Sequence, residues 1–429
     1  MKVPDTIFQS PHLSLSDLLG KHYIDSVCEA KAFVEGCTKK PFVQIAEEKV
    51  DFYPEQMQQR CEELLKYIGK KVCDGFMKSA LGAPTKSFKD ATNRNAAPLN
   101  GFGFTRIGED GRLYLCSKSE HYHASLGHHF PGYALIEKAV KIGISNTTHN
   151  NARGHICRLL EQELISAANG FEQNDPELNG VIESKSPHVL NKVINLQTGS
   201  LAAEAGIKMM LTRFYKLDDT FPDPDFHGRI PVFLVMGDNN GGLSANYHGT
   251  TVLIQLMRDL WPQVLKKATE AEIFKVVPIR INDFSNFKET VDDLDHGKYK
   301  IAGFLHELIL MNYGGIKLDE DFVKKAHALC NERNIPTLVD EIQTCLWSPQ
   351  LFLFREYKIK PDLVSIGKGF PGGQYPASRI LLSTPMDNLN QFGALVTSGQ
   401  EELSSLSYLI TIKFARINGR SIKKIVFHL

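Results

Sequence analysis

The sequence predicts an α/β protein centred on a mostly parallel, seven-stranded sheet with helices on both faces, with a helical N-terminal region before it and a reduced C-terminal piece after it. Three observations predict this. Seven short apolar runs recur from about Asn191 onward, at 193–197, 231–236, 274–279, 301–307, 336–340, 363–367 and 378–383. The runs are nearly continuously apolar rather than alternating, as strands covered on both faces are. Amphipathic stretches lie between several of them, at 202–216, 250–260 and 318–333, and strands alternating with helices build a parallel sheet.

Taken in order, residues 1–100 read as a mainly helical extension, with 54–80 as its longest helical stretch. A Gly/Pro/Asn-rich stretch at 96–103 separates it from two short strands, around Phe104 and at 113–116, joined by a turn at Glu109-Asp110-Gly111. Residues 101–190 lead into the sheet, 191–385 carry it, and 386–429 close the chain.

A chain of 429 residues is too long for one simple core. With 42% hydrophobic and 23% charged residues it is neither collagen-like nor disordered. Lys plus Arg equal Asp plus Glu at 49 each, so no global field collects nucleic acid or an anionic membrane. The eight cysteines include no C-x-x-C pair, which reads as reduced thiols and a cytoplasmic protein. The N-terminus lacks a basic start followed by an apolar run, so no signal peptide is expected. The most apolar stretch, 301–311, contains His306 and Glu307, so no membrane span is expected.

Ligands of such sheets bind beyond the carboxyl ends of the strands. The first run leads through Gly199, which permits a tight turn, to Ser200 at the expected N-cap of a helix. A helix N-terminus suits a phosphate, and an ordinary capped helix has the same residues. The second run leads into a glycine-rich loop and Tyr247, which either stacks on a flat ring or is the buried tyrosine of a surface loop. The fifth run delivers Asp340 at its tip. A carboxylate there loses hydration and needs a cation, either a protonated pyridine nitrogen or a structural Arg or Lys. The sixth run leads to Lys368 between Gly367 and Gly369. Apolar surroundings lower a lysine pKa, and a neutral amine attacks an aldehyde. A P-loop is excluded, because Gly369 and Pro371 stand where Ser or Thr and a helix would follow the lysine. His121, His123, His128 and His129, with Cys116 and Glu120 nearby, match no zinc spacing, so no metal is expected.

The segments Leu338-Val339-Asp340-Glu341-Ile342-Gln343-Thr344 and Pro361-Asp362-Leu363-Val364-Ser365-Ile366-Gly367-Lys368-Gly369 resemble the class III aminotransferases, of fold type I among pyridoxal-phosphate enzymes. The resemblance runs from about Phe104 to about Ser398, and includes Gly199-Ser200-Leu201-Ala202, Tyr247-His248-Gly249, Glu307 and Thr397. It implies pyridoxal 5′-phosphate as cofactor and residues 101–190 as the first part of a small domain. The implied reaction is transfer of an amino group from an amine or amino acid to a keto acceptor through a Schiff base on Lys368. Asp340 would then pair with the pyridine nitrogen, Gln343 with the phenolic oxygen, Gly199 and Ser200 with the phosphate, and Tyr247 with the ring face. Glu307 would lie near the substrate. Thr397 would reach the phosphate of a neighbouring subunit, making a homodimer with a shared site.

The chain departs from the family at Leu201, Ala203, Leu308 and Cys345, where an acidic residue, Asn, Pro and Gly are usual. It stops soon after Thr397, so the resemblance implies a shortened segment at 386–429 without the arginine that holds a substrate carboxylate. Two rivals stand beside transamination. One is decarboxylation or racemisation on the same scaffold. The other is a degenerate homologue that binds cofactor but turns nothing over.

Overall fold

The computed structural model describes residues 8–76, 78, 80, 82–83, 85–88, 95–116, 124–146, 149, 151–172 and 175–426. The chain divides into two compact units. The first is Met1–Ser145, Gly369–Tyr375 and Ser405–Ser421; the second is Asn146–Lys368, Pro376–Ser404 and Ile422–Leu429.

The first unit begins with helices Leu15–Leu19, Lys21–Glu35, Lys40–Glu47 and Glu55–Leu64. Ser14 and Asp17 form a capping box at the first, and Gly36 ends the second in the left-handed conformation. The helix expected over 54–80 stops at Leu64 and tightens into one 3₁₀ turn, Leu65–Tyr67. Beyond it the backbone pairs elsewhere: Gly69 N donates to Leu113 O and Val72 N to Gly111 O. Leu113 lies in, and Gly111 in the turn before, the last strand of a three-stranded antiparallel sheet, Pro98–Phe102, Thr105–Gly108 and Leu113–Leu115. Its first strand lies in the Gly/Pro/Asn-rich stretch read as a separator. Pro98 is tolerated there because it opens an edge strand.

In the second unit all seven apolar runs are strands of one sheet: β1 Leu190–Leu196, β2 Ile230–Met236, β3 Lys275–Ile279, β4 Tyr299–His306, β5 Thr337–Asp340, β6 Leu363–Ile366 and β7 Ser378–Ser383. Their spatial order is β1-β7-β6-β5-β4-β2-β3. The pairs β6–β5, β5–β4, β4–β2 and β2–β3 are parallel, while β7 runs against both of its neighbours. Helix α1, His155–Asn169, precedes the sheet. Helix α2, Gly199–Leu211, packs Ala202, Ala205 and Met209 into a core with Leu338, Leu363 and Ile380. Gly206 allows this approach, since a Cβ there would sit 2.2 Å from Leu338 Cδ1. On the other face, helix α3, Phe284–Leu294, meets Phe304 of β4 through Phe287, 5.0 Å between rings, and helix α4, Glu320–Glu332, packs its Phe322 against Phe287. The stretches expected at 202–216, 250–260 and 318–333 are shorter helices, Gly199–Leu211, Val252–Leu256 and Glu320–Glu332.

Where a reduced C-terminal piece was expected, the chain forms a short turn of helix, Gln391–Ala394, and then a 25-residue helix α5, Glu402–Val426. Among the described residues no helix is long and apolar enough to cross a membrane.

Candidate active site

Strand β5 ends on Asp340, in register with Ser365 of β6. That register brings the Ser365 hydroxyl within 2.8 Å of Asp340 Oδ1, which also accepts the Ile342 amide at 3.0 Å. Asp340 Oδ2 lies 2.8 Å from Nδ1 of His248, and both side chains are buried. Burial alone would depress the His248 pKa, but the hydrogen bond to Asp340 and the charges of Asp340 and Glu307 hold it above the ordinary value. Three donors thus fill three of the roughly four acceptor positions of a carboxylate.

Glu307 follows β4 directly and is buried. Its Oε1 accepts the Gln343 side-chain amide at 3.0 Å, and its Oε2 has no hydrogen-bond partner among the described residues. Burial, reinforced by the charge of Asp340, pushes its pKa up to about 8; His248, Gln343 and Lys368 act in the opposite sense. Burial therefore favours the protonated carboxyl, and its neighbours form one electrostatic unit with it.

Lys368 stands two residues past β6 with φ +34°, a left-handed backbone that non-glycine residues rarely adopt. The preceding Gly367 carbonyl accepts the buried Cys345 thiol at 3.4 Å.

At the start of α2 the cap is Thr198, not Ser200. The chain is extended at Thr198, and its hydroxyl accepts the Leu201 amide at 3.4 Å, so the helix already begins at Gly199. Ser200 falls in the first turn, where its Oγ accepts the Thr250 amide at 3.0 Å. Gly249, at φ +142°, makes this possible: a Cβ there would sit 2.6 Å from Ser200 Cα. A Cβ on Gly199 would sit 2.7 Å from Ile342 Cδ1.

The contacts therefore link Asp340, His248, Ser365, Glu307 and Gln343, with Lys368 acting on Glu307 through its charge. They also join Ser200 to the Gly249–Thr250 turn. Tyr247 is half-buried, and one face of its ring lies under the Arg258 guanidinium, 4.9 Å from the centroid. Thr397 is exposed in the turn after Gln391–Ala394, and no hydrogen bond joins it to the others. His248 and Ser365 received no role in the sequence reading. The aromatic-His-Gly segment was the available signal for His248, whereas Ser365 becomes visible only once the β5–β6 register is known. Of the histidine-rich segment, His121, His123 and Glu120 lie outside the described residues. His128 packs on Gly101, where a Cβ would meet its ring at 2.6 Å.

A family model described as aminotransferase class III matches residues 101–397. The ornithine aminotransferase of Emericella nidulans is 26% identical over 282 residues, covering 63% of this chain and 53% of that protein. The adenosylmethionine-8-amino-7-oxononanoate aminotransferase of Helicobacter pylori is 28% identical over 229 residues, covering 51% and 48%. The chain spans about half the length of the curated relatives it matches. Among solved structures, a transaminase from the marine bacterium Virgibacillus superposes with a TM-score of 0.58 at 15% identity, covering 78% of this chain and 70% of that one. The adenosylmethionine-8-amino-7-oxononanoate aminotransferase of Methanocaldococcus jannaschii gives 0.56 at 19%, covering 83% and 74%. At these identities the structural likeness speaks to the fold alone.

Proposed function

Since the chain belongs to the class III aminotransferase family, we propose that it is a pyridoxal-phosphate-dependent transaminase that moves an amino group from an amine or amino acid to a keto acceptor. The observation that carries this reading is the family match over residues 101–397, which spans the Asp340 and Lys368 segments at the ends of neighbouring strands.

The residues present suit the cofactor. Asp340 keeps an acceptor position open after its three donors, which suits a pyridinium N–H. Glu307 Oε2 and His248 Nε2 are buried without hydrogen-bond partners among the described residues, so polar groups beside them have bonds to gain. The α2 N-terminus, with Ser200 and backbone close-packed at Gly199 and Gly249, suits a phosphate.

When bound, the cofactor supplies an electron-withdrawing ring that makes the substrate Cα proton removable. In this reading Lys368 would hold the cofactor through Nζ and would serve as the general base and acid toward the substrate carbon. Asp340 would hold the ring nitrogen, and His248, with Ser365 and the Ile342 amide, keeps its carboxylate fixed for that task. Gln343, which donates to Glu307, would meet the phenolic oxygen. Tyr247, which has Arg258 over one face, would cover the ring. Gly199 and Ser200 would hold the phosphate, with Thr397 of a second subunit completing it in a homodimer.

Borohydride reduction of the cofactor-loaded protein, followed by peptide mapping, tests the attachment, and product analysis tests the reaction. The expected results are a pyridoxyl label on Lys368 and a keto product matched by an aminated acceptor. A label on another lysine refutes the site. Carbon dioxide, or an enantiomer of the substrate, as product refutes transamination.

A further inference from the structure

At the end of the sheet away from Asp340 and Lys368, the second unit holds a cavity of about 750 Å³. It opens among the residues that precede β5 and β6 and follow β7 and α2, including Pro336, Asp362, Pro385 and Arg213. Its volume is that of a small-molecule site, which runs from roughly 300 to 1,000 Å³.

The wall carries Arg213 and Lys216 against Asp223, Asp225 and Asp362, and these groups differ in how they are paired. Asp362 is satisfied: Oδ2 accepts the Thr337 amide at 3.0 Å and its hydroxyl at 3.4 Å, and Oδ1 lies 3.0 Å from His188 Nδ1. Asp223 is paired with Lys216 at 2.8 Å, and Asp225 is exposed to solvent. Arg213 is the exception. Its guanidinium lies 4.9 Å over the Phe226 ring, and Nη2 donates to the Asn334 carbonyl at 3.2 Å and side-chain oxygen at 2.9 Å. Its Nη1 has no hydrogen-bond partner, and it makes no ion pair with a carboxylate among the described residues. Burial lowers its pKa, with Asp362, Asp225 and Asp295 acting more weakly against that. A partly desolvated cation with only neutral acceptors gains most from an oxyanion, and a guanidinium fork fits carboxylate and phosphate alike. Pro187, Phe221, Pro222 and Met386 supply apolar wall beside it.

We propose that this cavity is a second binding site, which takes a small ligand with an apolar body and a carboxylate or phosphate seated on Arg213. It is separate from the candidate active site and does not depend on the reaction assigned there.

The test is isothermal titration of the full chain, loaded with pyridoxal phosphate and then freed of excess cofactor, which is itself an aromatic phosphate, against three probes: benzoate, phenyl phosphate and inorganic phosphate. The proteins are wild type, Arg213→Gln, and Leu217→Trp, which fills the cavity from its lining loop and leaves the guanidinium in place. Benzoate or phenyl phosphate should bind the wild type, and the tighter of the two identifies the anion. Inorganic phosphate, with no apolar body, should bind more weakly. Both variants should weaken binding about tenfold or more while melting within a few degrees of the wild type. If Arg213→Gln fails to fold, the comparison with Leu217→Trp alone decides. No binding of either aromatic probe at millimolar concentration overturns the proposal. So does binding that survives in the folded variants, since it then belongs to another site.

Discussion

Lys368 combines a reactive role with an unfavourable backbone. A non-glycine residue held at φ +34° costs on the order of 1–3 kcal/mol, and such strain persists where the surroundings impose it. Lys368→Gly should therefore be more stable than Lys368→Ala by about 1 kcal/mol, with both unable to retain a covalently bound cofactor. Urea unfolding of the two variants checks this, and equal midpoints would show that the backbone is relaxed. Glu307 makes a second prediction, on pH. Its folded pKa of about 8 lies above the ordinary 4.5, so the folded state binds the proton more tightly. The resulting stabilisation is fully present below about 4.5 and is lost as pH rises through about 8. In the cofactor-free protein, Glu307→Gln should remove a slope of up to about 1.4 kcal/mol per pH unit across that window, leaving the variant relatively more stable at the alkaline end. Unfolding curves at pH 5 and pH 8 for both proteins give the difference, and parallel curves would place the carboxyl in solvent. Lys368 and Asp340 drew attention because each stands just at or after the end of an apolar run, whereas Gln343 entered only through the resemblance to the family. The link from His248 to Asp340 was not legible, because a linear chain does not show which donor a buried carboxylate will meet.

At the scale of elements, the seven strands were legible because each is built on a short apolar run set between helical stretches. Helix ends were not, since they depend on a single hydroxyl such as Thr198, which displaced Ser200 as the cap. The strand Pro98–Phe102 was hidden by its composition, and the helix after Pro54 ended early because its continuation hydrogen-bonds to the Gly108–Leu113 hairpin. The seat of α2 on the sheet is set by one residue: Gly206 faces Leu338, and an added Cβ at 2.2 Å must push helix and strand apart. Gly206→Ala should cost about 1–3 kcal/mol through overpacking, although alanine is the better helix former. Because α2 also presents Ser200, the same change should weaken pyridoxal phosphate binding. A melt in the presence and absence of cofactor separates the two effects. A variant as stable as the parent would mean that Leu338 repacks freely.

For the whole molecule, Lys plus Arg equal Asp plus Glu at 49 each, so net charge supplies no long-range field toward an oppositely charged partner. Assembly is a different matter. Phe392 is 86% exposed and lies in the short helix just before the exposed Thr397, so an apolar side chain and the candidate phosphate contact share one surface segment. If the site is shared between subunits, Phe392→Asp should shift the protein from dimer to monomer in sedimentation and release cofactor with it. A variant that stays dimeric and yellow would place the interface elsewhere. The order of the sheet carries one more implication, for biosynthesis. Strand β1 sits at an edge, and its sole neighbour is β7, the last of the seven in the chain. A ribosome that has released β1 must go on to make every other strand before β1 has anything to bond to, and the Gly199–Ser200 turn hangs from it throughout. Pairing over so long a separation is slow and leaves apolar strand exposed meanwhile. The nascent chain is therefore a natural client for a chaperone, and cofactor capture is among the last events in its making.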